Sequence, residues 1–189
     1  MIRGMKSAQT VIRIETDRVL IREINAGDVE GMFELDSDKE VHKFLGNKPF
    51  VTIKQSEDQI GFIQRQYAEY GIGRWAVLDK ATNEFIGWTG FKWMKDTINH
   101  HSNYHDFGYR LKRKFWGKGL ATESALAAMN YGMETLGLND IYAMTDVNNM
   151  ASRHVLEKIG MQYIETFPYD GDPFWTEAGA PTTWYQKIF

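Results

Sequence analysis

The stretch Asp106-Phe-Gly-Tyr-Arg-Leu-Lys-Arg-Lys-Phe-Trp-Gly-Lys-Gly-Leu-Ala-Thr-Glu123 decides the fold. Phe107, Tyr109 and Leu111 alternate with polar or small residues, the period of a half-buried strand. A basic run and a Gly-x-Gly turn at Gly117 and Gly119 come next. A helix of small residues follows at once: Ala121, Ser124, Ala125, Ala128 and Gly132. Strand, glycine turn and helix N-terminus make an anion cradle. The first N–H groups of a helix lack intrahelical partners, and the helix dipole favours negative charge there. Glycine lets the backbone approach a ligand with no Cβ in the way.

Two phosphate motifs are excluded by spacing. A Walker loop needs Gly-Lys-Ser/Thr, whereas Gly117-Lys118 precedes Gly119. A dinucleotide fingerprint needs Gly or Ala at its sixth position, which here is Thr122. A lone Gly-x-Gly is also compatible with a plain tight turn.

A second segment narrows the choice. Asp140 to Met161 reads as a strand, an Asn-rich turn and a helix ending at Lys158-Ile-Gly160. Gly160 suits the position after a helix C-terminus, and Lys158 suits the negative end of the dipole. Together the two segments resemble the GNAT superfamily of N-acetyltransferases, whose signature is Gln/Arg-x-x-Gly-x-Gly/Ala. Trp116-Gly-Lys-Gly-Leu-Ala121 matches it, with Trp at the first position. Phe115 to Glu123, Asn149 to Gly160 and the opening Thr16-Asp-Arg-Val-Leu-Ile-Arg22 resemble the Rim-type branch, named for enzymes that acetylate ribosomal-protein N-termini. The similarity of pattern runs from about Thr16 to the C-terminus.

Composition sets the bounds. The chain has 189 residues, enough for one domain with a proper core. An apolar content of 43% argues for a globular fold. No apolar run approaches the ~20 residues of a membrane span, and Met1 to Thr10 shows no apolar core of a secretory signal. The absence of cysteine excludes disulfides, a cysteine nucleophile and thiolate metal sites; a reducing cytoplasm is the expected location. The net charge of −3 gives no global field for nucleic acid. Locally, Arg110, Lys112, Arg113, Lys114 and Lys118 form a basic cluster. It reads as a site for a polyanionic small ligand, with a solvated turn or a nucleic-acid patch as alternatives.

Along the chain, residues 1–15 are expected to be a tail, with a short strand around Val11 to Ile14, and 16–189 a single domain. Strands are expected at Arg18–Ile24, Arg74–Leu78, Phe85–Trp93, the segment ending at Leu111, Ile141–Asp146, Gln162–Phe167 and Thr183–Ile188. Asn25-Ala-Gly-Asp28 resembles a capping box before a helix bearing Val29, Met32, Phe33 and Leu35. A helix from Thr52 or Ser56, with Ile60, Ile63, Tyr67 and Tyr70 on one face, ends at Gly71. Two more helices run to about Leu136 and from Ala151 to Ile159. The expected class is α/β, and the resemblance implies a mixed, mostly antiparallel twisted sheet, helices on both faces, and central strands that splay to admit the pantetheine arm.

The resemblance also implies the chemistry: direct transfer of acetyl from acetyl-coenzyme A to a primary amine, without metal. Backbone N–H groups of Gly117, Lys118, Gly119, Leu120, Ala121 and Thr122 would bind pyrophosphate, after Trp116. Main-chain groups of Tyr109, Arg110 and Leu111 would pair with pantetheine, and Tyr109 or Arg110 would supply the oxyanion donor. Asn149 and Ser152 fit a helix cap and its N3 position; the resemblance adds pantetheine contact for Asn149 and proton donation to the leaving sulfur for Ser152, with Tyr163 as a weaker substitute. Asp106, where Rim-type relatives usually carry Glu, is the general-base candidate, and His105 its rival. His100, His101 and His105 lack metal-ligand spacing, and His154 is expected on an exposed helix face. Trp75, Trp88, Trp93, Trp175 and Trp184 read as core or pocket wall. Asp170, Asp172 and Glu177, in the loop Pro168 to Pro181, would form an acidic wall around an amine.

The implied acceptor is a protein N-terminus, with a polyamine, amino sugar or antibiotic as the small-amine alternative. Neither nucleic acid nor membrane is an expected partner, and the expected state is a monomer or homodimer. The competing class is a cofactor-holding module without turnover. The presence of Asp106, Asn149 and Ser152 counts against it.

Overall fold

The computed structural model describes residues 12–173 and 176–188. Trp175 and Val11 therefore lie outside the described residues. Strands β1 (Arg13–Glu15), β2 (Val19–Glu23), β3 (Arg74–Asp79), β4 (Phe85–Met94), β5 (Tyr104–Leu111), β6 (Ile141–Asp146), β7 (Met161–Pro168) and β8 (Pro181–Lys187) form one sheet. Its order is β1-β2-β3-β4-β5-β6-β8-β7. Neighbours are antiparallel except β5 and β6. The strand expected near Val11 to Ile14 is β1, paired with β2, so the sheet begins inside the expected tail. Pro168 and Pro181 face each other at the loop end of the last hairpin, where a missing N–H costs no interior ladder bond.

The helices are α1 (Val29–Asp36), α2 (Lys39–His42), α3 (Ile53–Tyr70), α4 (Leu120–Glu134) and α5 (Met150–Lys158). The Asn25 side chain accepts from the Gly27 N–H at 2.8 Å, and Asp28 returns a bond to the Asn25 N–H at 2.9 Å. The expected capping box thus starts a short 3-10 turn, Ala26–Asp28, that leads into α1. Gln55 closes the start of α3 on the Thr52 N–H at 3.1 Å, and Gly71 ends it at φ 69°.

Helices cover both faces. On one, Leu120, Ala125, Ala128 and Met129 of α4 and Leu156 of α5 pack on Val19, Ile21, Val77, Phe91, Phe107 and Ile141. The small residues of α4 let it come close: a Cβ on Gly132 would stand 2.4 Å from the Phe91 ring. On the other face, Met32, Leu35, Ile60 and Ile63 pack on Ile24, Ala76, Leu78 and Trp88. Under the loops near Ile98 and Tyr169, a third cluster gathers Met94, Tyr104, Tyr142, Phe167 and Trp184.

One irregularity positions the site. β5 and β6 pair only at His105–Ile141 and Asp106–Tyr142. Beyond Asp106, β5 stays with β4 as far as Leu111, and β6 stays with β8. The two central strands therefore part at Phe107, which is the expected splay.

Candidate active site

A cavity of about 1160 Å³ runs through this gap. Trp116, Gly117 and the N-terminus of α4 line one end; Arg74, Lys92 and Asp106 line the other; Tyr109, Asn149 and Ser152 lie between. Of the expected cofactor-binding residues (Tyr109 to Leu111, Trp116 to Thr122 and Asn149) and the two catalytic candidates Ser152 and Asp106, only Lys118 does not line it.

The glycine end is an empty cradle in the backbone sense. Gly117 and Gly119 take φ of 71° and 77°, a region that favours glycine. Nothing lies within 4 Å of where a Gly117 Cβ would be. The N–H groups from Gly117 to Thr122 make no hydrogen bond with described residues. Six donors converging at a helix N-terminus suit a pyrophosphate. Two clamps hold the turn. Trp116 donates its indole N–H to the Leu111 carbonyl at 2.7 Å, so that carbonyl is already engaged. Arg18 reaches the Lys118 carbonyl at 2.8 Å and pairs with Glu123 at 2.6 Å, and the Thr16 hydroxyl donates to the same carboxylate at 2.5 Å. The opening Thr16-Asp-Arg18 motif thus has a job in the site: it ties β2 to the glycine turn.

Four members of the basic cluster, all but Lys118, are paired with acids of the protein. Arg110 pairs with the buried Asp36 and lies 5.1 Å over the Trp88 ring. Lys112 is buried against Glu34 at 2.5 Å and Glu84 at 3.5 Å. Lys114 shares the same two acids, and Arg113 lies 3.4 Å from Asp38. Acids on α1 and its neighbours neutralise the run, a long-range pairing invisible in the local sequence. The polyanion reading therefore rests on backbone donors, not on these side chains.

In the gap, α5 begins at the Asn149 cap, whose Oδ1 accepts from the Ser152 N–H at 3.1 Å. The cap role is real, and the cap faces the cavity. The Tyr109 hydroxyl crosses from β5 to Ser152, 3.1 Å from Oγ and 3.2 Å from the carbonyl oxygen. Burial pushes the Tyr109 phenol up to about 12, so it stays protonated and donates. Ser152 then has its own hydroxyl proton to offer. Tyr163 does not reach the site: it is 47% exposed on β7, with its hydroxyl 3.0 Å from that of Thr166.

Asp106 is held by Arg74, a residue that sequence reasoning missed. One carboxylate oxygen is paired with the guanidinium, which also donates to the carbonyls of Gly90 at 2.5 Å and Asp106 at 2.8 Å. Gly108 makes room for it, since a Cβ there would stand 3.1 Å from Arg74. Burial lowers the Arg74 pKa, against the pull of Asp106. The other Asp106 oxygen, Oδ1, has no protein partner among the described residues. His105, one residue earlier, points to the opposite sheet face, packs 4.9 Å edge-on to Trp93, and does not line the cavity. Burial lowers its pKa.

The acidic wall shrinks to one residue. Asp172 lines the cavity, whereas Asp170 is bound to the Asn99 N–H at 3.1 Å and Glu177 does not line it. His154 is exposed, as expected. His101 stacks 5.3 Å from Trp184. Among the described residues no group of acids and histidines is arranged to hold a metal. No helix among them is long and apolar enough to cross a membrane.

Residues 18–162 match the family model described as Acetyltransferase (GNAT) domain. The chain is 31% identical over 147 residues to "Uncharacterized N-acetyltransferase p20" of Bacillus licheniformis, covering 78% of this chain and 80% of that one. It is 33% identical over 156 residues to "FsC-acetyl coenzyme A-N(2)-transacetylase" of Aspergillus fumigatus, covering 79% and 66%. The fold also matches a solved structure titled RimL, ribosomal L7/L12 alpha-N-protein acetyltransferase in complex with coenzyme A. The TM-score is 0.78 and the identity 14%, over 94% of this chain and 98% of that one. GNAT acetyltransferases use acetyl-coenzyme A, and the glycine cradle and splayed strands fit that molecule's pyrophosphate and extended arm. The chain belongs to the acetyltransferase (GNAT) domain family and is an N-acetyltransferase.

Proposed function

We propose that this chain passes acetyl from acetyl-coenzyme A directly to a primary amine in one ternary complex. The observation that carries this reading is the single cavity joining the glycine cradle to Asp106, with Ser152 between them. The acyl donor supplies an activated thioester; the protein supplies position, donors and proton carriers. N–H groups from Gly117 to Thr122 hold the phosphates, and the part of β5 beyond Asp106, where it leaves β6, aligns the arm. A main-chain N–H near Tyr109 or Arg110 faces the developing oxyanion. Ser152 Oγ gives its proton to the departing sulfur while Tyr109 donates to Oγ, and the second proton shed by the acylated nitrogen restores the Ser152 hydroxyl. Asp106 attracts the ammonium and, through a water on Oδ1, takes its proton.

A protein N-terminus is the first acceptor reading. It rests on the Rim-type motifs at Thr16–Arg22, Phe115–Glu123 and Asn149–Gly160, and the likeness to the RimL structure supports it. A small amine is the second reading, supported by 36% identity over 63 residues, 33% of this chain, to "Spermidine N(1)-acetyltransferase" of Escherichia coli. A thiol-release assay across peptides and small amines tests both. Turnover with peptides alone favours the first, and turnover with small amines alone favours the second. If no amine releases thiol while coenzyme A still binds, catalysis is lost and the chain is a binding module.

A further inference from the structure

The acceptor end of the cavity holds a half-buried cation that pairs directly with no acid among the described residues. Lys92 sits on β4 directly opposite Asp106 in the β4–β5 register, so the two side chains share a sheet face. Asp106 is already engaged by Arg74. The Lys92 ammonium makes no ion pair or hydrogen bond with described residues. Its one near neighbour of note is the Phe62 ring, 5.5 Å away. Phe62 and Gln66 lie one turn apart on the α3 face that overlooks it. The Gln66 carbonyl oxygen accepts from the Trp93 N–H at 2.9 Å, which leaves its amide N–H groups free for a ligand.

We propose that Lys92, with Gln66 beside it, binds a carboxylate on the acceptor, so that the preferred substrate is an amine whose own molecule carries a carboxylate. The proposal rests on the acetyl-transfer reading and deepens it. A desolvated ammonium without a counter-ion is costly, and a ligand anion relieves that cost. Burial lowers the Lys92 pKa, and the neighbouring Arg74 charge adds to the effect; Asp106, Asp96 and Asp172 act against it from a distance. A carboxylate fits better than a phosphate because, among the described residues, a single half-buried cation there lacks an acid partner: Arg74 is engaged by Asp106, and Lys43 and Lys95 are exposed residues. Asp106 and Lys92 then divide one zwitterion, the carboxylate of Asp106 facing the ammonium and the ammonium of Lys92 facing the carboxylate. A polyamine would set a cation against Lys92, and like charges disfavour it.

The test uses matched amines that differ only in a remote carboxylate: γ-aminobutyrate against γ-aminobutyramide, and C-terminally amidated alanyl-glutamate against C-terminally amidated alanyl-glutamine. Each is scored by thiol release and, independently, by the melting-temperature shift that it adds to the coenzyme A-loaded protein. The carboxylate form is expected to lead by about 10-fold or more in kcat/KM, as one desolvated charge pair warrants. Lys92→Met should bring that ratio to about one while leaving the coenzyme A shift unchanged, and Lys92→Arg should keep the preference. The free amine and the dipeptide pairs separate a small-molecule source of the carboxylate from a peptide source. Equal use and equal binding of the carboxamides by wild type, or a preference that survives Lys92→Met, overturns the proposal. No carboxylate preference in wild type with thiol release intact sinks this inference alone; a binding preference without any thiol release sinks the acetyl-transfer reading alone.

Discussion

In the proposed mechanism Ser152 serves two roles through two different atoms, and a substitution can separate them. Its N–H completes the Asn149 cap, and its Oγ sits 3.1 Å from the Tyr109 hydroxyl inside the cavity. Ser152→Ala keeps the N–H and removes only the hydroxyl. The expected outcome is a fall in kcat of about 10²-fold, the lower end of what a positioned proton donor contributes. Coenzyme A affinity and melting temperature should change little, since the hydroxyl acts only as the sulfur departs. Unchanged turnover per folded molecule would leave Ser152 as a helix-start residue. Asp106 needs a different control, because Asp106→Asn also strips the half-neutralised, buried Arg74 of its counter-charge. Breaking such a pair typically costs about 3–5 kcal/mol, less here because the amide oxygen still accepts a hydrogen bond. The rate must therefore be measured per folded molecule. It should drop at neutral pH and recover partly at high pH, where free amine is abundant, while Asp106→Glu retains more activity. His105→Ala should leave the rate nearly intact, given its orientation away from the cavity. A large loss there with near-normal Asp106→Asn would transfer the base to the histidine.

At the scale of elements, the two important glycines of the α4 region do different work. Gly119 is left-handed at the head of α4, where its backbone donors face the cavity; Gly132 lies under Phe91 deep in the core. In wild type, coenzyme A at 100-fold its Kd should stabilise the fold by about 2.7 kcal/mol. Gly119→Val should abolish this shift with little loss of intrinsic stability beyond the strain of its φ. Gly132→Ala should do the reverse, costing about 1–3 kcal/mol by overpacking while preserving the shift. Thermal melts with and without coenzyme A distinguish the two, and a Gly119→Val protein that still responds to coenzyme A removes the glycine cradle from the site. The contrast also marks what was legible in the sequence. Strand alternation at Phe107, Tyr109 and Leu111, the glycine turn and the small-residue helix are local patterns, and each lies where it was expected. The clamp of Arg18 on Glu123, the Arg74–Asp106 pair and the acids that neutralise Lys112 and Lys114 join residues far apart in the chain. No spacing rule announces such pairs, so the basic run reads as a ligand site although Arg110, Lys112, Arg113 and Lys114 are held in intramolecular ion pairs.

Across the whole molecule, one buried pair ties the acceptor-side helices to the strand that borders the cofactor groove. Asp36 closes α1 and is 1% exposed; it pairs with Arg110 of β5, with His42 Nε2 3.6 Å away. Burial raises the cost of its charge, but the Arg110 and His42 partners outweigh that and hold its pKa below the ordinary carboxylate value. A folded pKa below the unfolded one, about 3.9, means that the pair stabilises the fold above that pH. Its contribution is lost as pH falls through the folded value. Denaturant melts from neutral to acid pH should therefore show wild-type stability declining below about pH 4. Asp36→Asn should be less stable at neutral pH, where Arg110 loses its buried partner, and should show a shallower decline in acid. The coenzyme A shift should weaken in Asp36→Asn even at neutral pH, because Arg110 lies in the strand segment whose backbone edge faces the gap. A variant with wild-type acid slope and undiminished coenzyme A response would show that the pair neither carries acid sensitivity nor anchors the groove. In that case the position of β5 would depend on its ladder with β4 and on the Tyr109 bridge to Ser152.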